Sequence, residues 1–157
     1  MLSKESIKKI ERELTKYPED QRQAAVMSAL RIAQTENGWL SPDCIVDVAE
    51  YLHMPEIAAL EVATFYNMYD LEPVGQYKIT VCTNISCMLR DSDAIVDHLK
   101  NKLGVGFNEV TKDGKFCLKE GECMGACGGA PLLHINNTKM HEFLTPEKVD
   151  AILEELE

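Results

Sequence analysis

Four of the six cysteines stand in two close pairs: Cys82 and Cys87, spaced C-x4-C, then Cys123 and Cys127, spaced C-x3-C. Thiolates are soft ligands, and four of them suit one soft metal centre, foremost an iron–sulfur cluster. A two-iron cluster takes two thiolates per iron, so each short pair can curl around one metal atom. The second pair lies in Glu122-Cys123-Met124-Gly125-Ala126-Cys127-Gly128-Gly129-Ala130-Pro131. There Gly125, Gly128 and Gly129 can offer backbone N–H groups to negatively charged sulfides without side-chain obstruction. A four-iron cluster also takes four cysteines, so the count leaves nuclearity open. Four-cysteine zinc remains the competing chemistry, although it favours C-x2-C knuckles and neither pair has that spacing. A thiol–disulfide enzyme fits less well, because its redox pair is C-x-x-C.

The rest of the composition narrows the class. The chain has 157 residues, 45% hydrophobic and 27% charged, enough for one domain or two small ones. A net charge of −10 argues against nucleic acid, which needs clustered Lys and Arg. The apolar runs are too short to span a bilayer and no apolar signal region opens the chain, so a cytoplasmic protein without direct membrane insertion is expected. In that compartment clustered thiols point to metal or catalysis rather than disulfides.

Two regions must position the cysteines. Residues 1–70 read as a helical bundle. Ile7, Ile10 and Leu14 share one face before Pro18. A second helix over 21–36 carries Val26, Ala29, Leu30 and Ala33 and stops at Asn37-Gly38. Ser41-Pro42 opens a third, with Ile45, Val48, Ala49 and Leu52 inward, and Pro55 opens a fourth through Ile57, Leu60, Val62 and Phe65. Pro73 and Gly75 mark a linker in the aperiodic stretch 70–76. From there to residue 157 the pattern reads β-α-β-β-β-α. Tyr77, Ile79 and Val81 alternate with Lys78 and Thr80 in a strand that ends on Cys82. Ser92 can cap a helix bearing Ile95, Val96, Leu99 and Leu103 up to Gly104. Asp113-Gly114 turns into a strand over 115–119, and Asn136-Asn137 joins strands over 132–135 and 139–143. Thr145-Pro146 starts a last helix with Val149, Ile152, Leu153 and Leu156 inward. The fold class is α+β, and its two cysteine loops can meet at one end of the sheet.

Together Cys82-Thr83-Asn84-Ile85-Ser86-Cys87 and the Glu122–Pro131 run resemble the thioredoxin-like [2Fe–2S] subunit of respiratory complex I. Small subunits of NAD-linked iron-only hydrogenases and of NAD-dependent formate dehydrogenases belong to the same family. Asn37-Gly38-Trp39-Leu40-Ser41 and Val62-Ala63-Thr64-Phe65-Tyr66 resemble two further motifs of that family, in the same order. The resemblance implies a helical region followed by a thioredoxin-like domain. It implies one [2Fe–2S] cluster per chain, held by Cys82, Cys87, Cys123 and Cys127. It also implies a flavoprotein partner that carries FMN and NAD(P), with further iron–sulfur subunits beside it. No catalytic residue is expected on this chain. A free-standing ferredoxin is the nearest alternative, and the extra helices argue against it, since a diffusing carrier needs only the cluster domain.

Other residues have plainer readings. Cys117 is a bystander on a strand, opposite in facing to Phe116 and Leu118 and set among lysines, though it lies close enough to Cys123 to rival it as a ligand. Cys44 belongs to core packing. His134 and His141 flank the glycine loop without being needed as ligands, and His53 and His98 read as surface or helix-end residues. Phe65 reads as core, with Tyr66 and Tyr69 as interface candidates. The Ala130–Pro131 bond is a candidate for the cis isomer.

Overall fold

Side chains that satisfy helix ends set the first part of the chain. Ser3 accepts from the Ser6 N–H at 3.1 Å and so caps α1 (Lys4–Leu14). Helix α2 (Val26–Asn37) ends on Gly38, whose φ of 81° is the left-handed conformation that closes a helix. Ser41 accepts from the Cys44 N–H at 3.2 Å and opens α3 (Pro42–Leu52), with Pro42 at its first turn. Pro55 precedes α4 (Glu56–Phe65). The computed structural model describes residues 2–156, and the chain divides into two units, Met1–Pro73 and Val74–Glu157.

In the first unit Ile10, Leu30, Leu40, Val48 and Leu52 lie at the centre of one apolar cluster. Burying each such side chain contributes about 1.5–3 kcal/mol. The segment after α4 is tied back onto α2: the Gln34 amide donates to the Met68 carbonyl at 2.9 Å and accepts from the Asp70 N–H at 2.7 Å. Two expectations need correction. The stretch expected to start a helix at Gln21 is instead a 3₁₀ segment, Glu19–Ala25, with Gln21 at φ −114° and ψ 34°. Its residues through Gln23 are polar, so no apolar stripe holds an α-helix before Ala25. In α4 the buried residues are Ala59 and Ala63, while Ile57 and Phe65 are 62% and 80% exposed. Phe65 is therefore surface rather than core. The helix ends there and Tyr66 turns extended, while Tyr69, expected at an interface, is instead buried in the core, its hydroxyl donating to the Met27 carbonyl at 2.8 Å.

The second unit is built on β1 (Tyr77–Cys82), which a four-residue turn of helix, α5 (Ile85–Met88), follows directly. Then come α6 (Ser92–Leu103), β2 (Glu109–Val110) and β3 (Phe116–Gly121). A 3₁₀ turn at Cys127–Gly129 leads to β4 (Leu133–Ile135), β5 (Lys139–His141) and α7 (Pro146–Leu156). The sheet order is β2-β3-β1-β4-β5. Strand β1 pairs parallel with β3, Cys82 opposite Gly121, and antiparallel with β4, Val81 opposite Leu133. Ile79, Val81, Leu118, Leu133 and Ile135 form one core with Ile95, Leu99, Val149 and Leu153 of α6 and α7.

The departures from the sequence reading are local. Helix α5 and the two-residue β2 lie outside the expected pattern, since both are too short to show a period. Ser92 does not cap α6: Asp91, at φ 64°, occupies that position, and Ser92 is the first helical residue, fully buried. Cys117 is 1% exposed and pairs in register with Lys78, itself buried. The face that it shares with Lys78 is thus not solvated at that position, contrary to a lysine-lined exterior.

Candidate metal centre

Strand direction explains how residues forty positions apart come together. Because β1 and β3 are parallel, both finish at the same end of the sheet, and antiparallel β4 begins there. Cys82 is the last residue of β1. Cys123 follows the end of β3 by two residues, and Cys127 begins the 3₁₀ turn that leads into β4. Loops beyond the carboxyl ends of parallel strands are the usual ligand-bearing part of such sheets.

Backbone and side-chain hydrogen bonds fix the first pair. The Cys82 N–H donates to the Leu132 carbonyl at 3.1 Å, and the next N–H, of Thr83, donates to the Gly121 carbonyl at 3.1 Å. Asn84 caps α5 through its side-chain oxygen, which accepts from the Ile85 N–H at 3.0 Å. The Cys87 N–H then closes the turn onto the Asn84 carbonyl at 2.9 Å. Two side-chain bonds tie this loop to the strand end that carries the second pair. The Thr83 hydroxyl donates to Glu120 at 2.8 Å and the Asn84 amide to Glu122 at 2.9 Å. Sequence reading singles out neither carboxylate, and nothing in their spacing marks them.

The second pair is held more loosely. Gly125, between the two cysteines, sits at φ 79°, a left-handed conformation that any side chain would strain. The Cys123 and Cys127 sulfurs are 3.5 Å apart. A Cβ placed on Gly128 would meet no atom within 4 Å, whereas one on Gly129 would come within 2.5 Å of the Glu142 side chain. The turn is anchored on that side, where the Phe143 N–H donates to the Gly129 carbonyl at 2.6 Å. The Ala130–Pro131 bond is cis.

The four thiols differ in setting. Cys82 and Cys87 are 2% and 1% exposed and pack with Ala130, Leu132, Met124 and Ala126, while Cys123 and Cys127 are exposed. Burial, and then the hydrogen bond and charge of Cys82, push the Cys87 thiol up to about 11. The Leu132 N–H, aimed at its sulfur, and the charge of nearby Cys127 act in opposite directions. The Cys123 thiol is lowered, first by the Gly125 N–H and then by its bond to Cys127. Thiolate sulfurs that already receive backbone N–H donors are what a negatively charged iron–sulfur core requires. Among the described residues no group of three or more His, Cys, Asp or Glu side chains is gathered closely enough for a single metal ion. The thiols stand as two pairs instead.

The other cysteines and the histidines have settings of their own. Cys44 is buried in the first unit beside the Asn37 amide, at 3.6 Å. Cys117 sits within β3, its sulfur 4.0 Å from the Leu118 carbonyl. His134 lies opposite Met140 and His141 opposite Leu133 across the β4–β5 pair, which puts the two rings on opposite faces of the sheet. Burial holds the His141 pKa below the usual value. His53 ends α3 at φ 56°, and His98 bonds Asp150 across α6 and α7 at 2.8 Å.

Comparison with known proteins identifies the family. The model of the thioredoxin-like [2Fe–2S] ferredoxin family matches residues 10–157. A subunit of the NADH-quinone oxidoreductase of Rickettsia bellii (strain RML369-C) is 49% identical over 144 residues, covering 91% of this chain and 86% of its own. The NADH-quinone oxidoreductase subunit 2 of Thermus thermophilus is 36% identical over 144 residues, covering 92% and 80%. Among solved structures, an NAD+-reducing [NiFe]-hydrogenase in the air-oxidized state superposes with a TM-score of 0.73 at 21% identity. The match covers 89% of this chain and 24% of the hydrogenase chain, and at that identity it speaks for the fold.

Proposed function

Since the chain belongs to the thioredoxin-like [2Fe–2S] ferredoxin family, we propose that it is the one-electron relay subunit of a multisubunit NAD(P)-linked oxidoreductase. The reading has Cys82, Cys87, Cys123 and Cys127 as the cluster ligands. When bound, a [2Fe–2S] group accepts and returns one electron at a time. The chain's own residues supply the rest. The thiols come as two pairs, which suits two thiolates per iron. The N–H groups of Gly125 and Leu132 meet thiolate charge. Leu132 and Met124 keep water from the Cys82 and Cys87 side, and the exposed Cys123–Cys127 side faces outward for electron exchange.

The observation that carries this reading is the convergence of the Cys82 loop and the Cys123 loop beyond the shared end of β1 and β3. Relatives named as subunits of NADH-quinone oxidoreductase support partner subunits for this chain. The partner that fits is a flavoprotein carrying FMN and NAD(H), on the cytoplasmic side, with other iron–sulfur subunits beyond it. Hydride chemistry belongs to that flavin. Among the described residues no helix is long and apolar enough to cross a membrane.

In this reading the helical unit provides the docking surface. Ile57 and Leu60 of α4 stand exposed beside Leu40, Pro42, Ile45 and Leu71, around a groove of roughly 450 Å³. Iron and acid-labile sulfide assays on anaerobically prepared chain should return two of each per chain, with visible absorption. Colourless protein holding one zinc ends the proposal. Co-expression with an FMN-binding subunit should give a stable complex, and a chain that stays monomeric favours the free-standing ferredoxin.

A further inference from the structure

The ligand pairs differ in accessibility, and the difference bears on what happens before the cluster is in place. Cys82 and Cys87 are closed off beneath Leu132 and Ala130. Cys123 and Cys127 are exposed, with their sulfurs 3.5 Å apart. A disulfide needs about 2.05 Å between sulfurs, so the gap to close is about 1.5 Å, within reach of side-chain rotation in a loop of small residues. Gly125 and Gly128 leave room for that rotation, since a Cβ on either would meet nothing within 4 Å.

We propose that Cys123 and Cys127 form a reversible disulfide in the chain before cluster loading, made by exchange with a small-molecule disulfide such as oxidised glutathione, and that this bond blocks iron entry until it is reduced. The inference rests on the reading of these residues as ligands.

The exchange balances in two steps. One protein thiolate attacks a sulfur of the small disulfide, forms a mixed disulfide and releases one small thiolate. The other protein thiolate attacks the protein sulfur of that mixed disulfide, forms the Cys123–Cys127 bond and releases the second. The pair gives up two electrons, the small disulfide takes them, and the two protons of the protein thiols end on the two small thiols. In-line attack needs an approach path, which the buried pair lacks even though Cys82 and Cys87 are hydrogen-bonded to each other. A ring closed over so few residues constrains the unfolded chain little, so the bond is a labile one rather than a staple.

The test uses the full-length chain, freed of iron under reductant, then equilibrated anaerobically with glutathione at graded oxidised-to-reduced ratios. Trypsin separates the pairs, because Cys82 and Cys87 fall in peptide 79–90 and Cys123 and Cys127 in peptide 120–139. The expected result is that peptide 120–139 becomes two hydrogens lighter and refuses alkylation, while peptide 79–90 alkylates at both thiols once denatured. The oxidised chain should fail to take up iron and sulfide, and dithiothreitol should restore uptake. Cys127→Ser, checked for folding by circular dichroism, should stop at a glutathione adduct on Cys123. Full alkylation of peptide 120–139, stable glutathione adducts on both its thiols, or prior closure within peptide 79–90 would each overturn the proposal. Iron uptake by the fully reduced chain is scored separately, so failure of the ligand assignment is told apart from failure of the switch.

Discussion

Gly121 offers the sharpest test of how the fold delivers the ligands. It ends β3, stands opposite Cys82 in the parallel register, and its carbonyl receives the Thr83 N–H. A Cβ added there would come within 2.7 Å of Thr80 Cγ2 and 2.8 Å of Met124 Cε, with the Val81 carbonyl oxygen at 3.4 Å. Met124 can swing its terminal methyl aside, but Thr80 is buried on the central strand and cannot move without β1. Overpacking a rigid site costs about 1–3 kcal/mol. For a unit of this size each kcal/mol lowers the melting temperature by roughly 4–8 °C. Gly121→Ala should therefore lower the melting temperature of the cluster-free, reduced chain by at least roughly 4 °C on the same scale. The displaced Met124 lies next to Cys123, so cluster loading should slow as well. Gly128→Ala is the control. Its Cβ meets nothing within 4 Å and its backbone is not left-handed, so the cluster-free chain should change by less than about 0.5 kcal/mol. Thermal unfolding by circular dichroism reads both. If Gly121→Ala melts with the parent chain, the β1–β3 contact does not position the cysteine loops.

The remaining predictions are shorter. Cys127→Ala should lose the cluster's visible absorption and bound sulfide, whereas Cys44→Ala should leave the spectrum unchanged; a normal spectrum in Cys127→Ala would transfer the ligand role to Cys117. In the cluster-free chain, iodoacetamide should modify Cys123 at lower pH than an ordinary thiol, since its thiolate is favoured, while Cys87, pushed up to about 11, should resist until strongly alkaline. Peptide mapping across pH checks the order, and equal profiles would refute it. Asp150 is held below the ordinary 3.8 by hydrogen bonds from His98 and Lys102. A depressed carboxylate contributes stability above its unfolded pKa and loses it as pH falls through the folded one. Asp150→Asn should therefore weaken the α6–α7 contact at neutral pH and match the parent at low pH in denaturant titrations.

The thiols and the strand that carries Cys82 were legible because soft-ligand spacing and period-two alternation are local signals. The hairpin at Asn136-Asn137 was legible too, both residues taking the left-handed φ that the turn requires. What local pattern missed depended on partners distant in sequence. Helix α4 carries large apolar residues, and its periodicity pointed Phe65 inward. It packs against α3, however, and its buried residues are the small Ala59 and Ala63, while Ile57 and Phe65 stay outside. Cys117 and Lys78 read as an exposed face because lysine is rarely buried, and only the tertiary fold removes them from water. The ties from Thr83 to Glu120 and from Asn84 to Glu122 join positions nearly forty residues apart, with no period to reveal them.

The parallel register of β1 and β3 has an engineering corollary. Both strands discharge their loops side by side, so the separation of the thiol pairs follows from one interstrand spacing. The long excursion from Leu89 to Lys115, with α6 and β2, brings the chain back beside the start of β1, where the Gly114 and Lys115 carbonyls receive the Gln76 and Tyr77 N–H groups. Its surface turn at Gly104, where an added Cβ would meet nothing within 4 Å, is the place to lengthen the chain or join another module with the sulfur geometry kept constant, whereas the turn at Gly114 receives the Gln76 N–H at the entry to β1. A single residue inserted between Gly121 and Cys123 would instead shift one pair against the other.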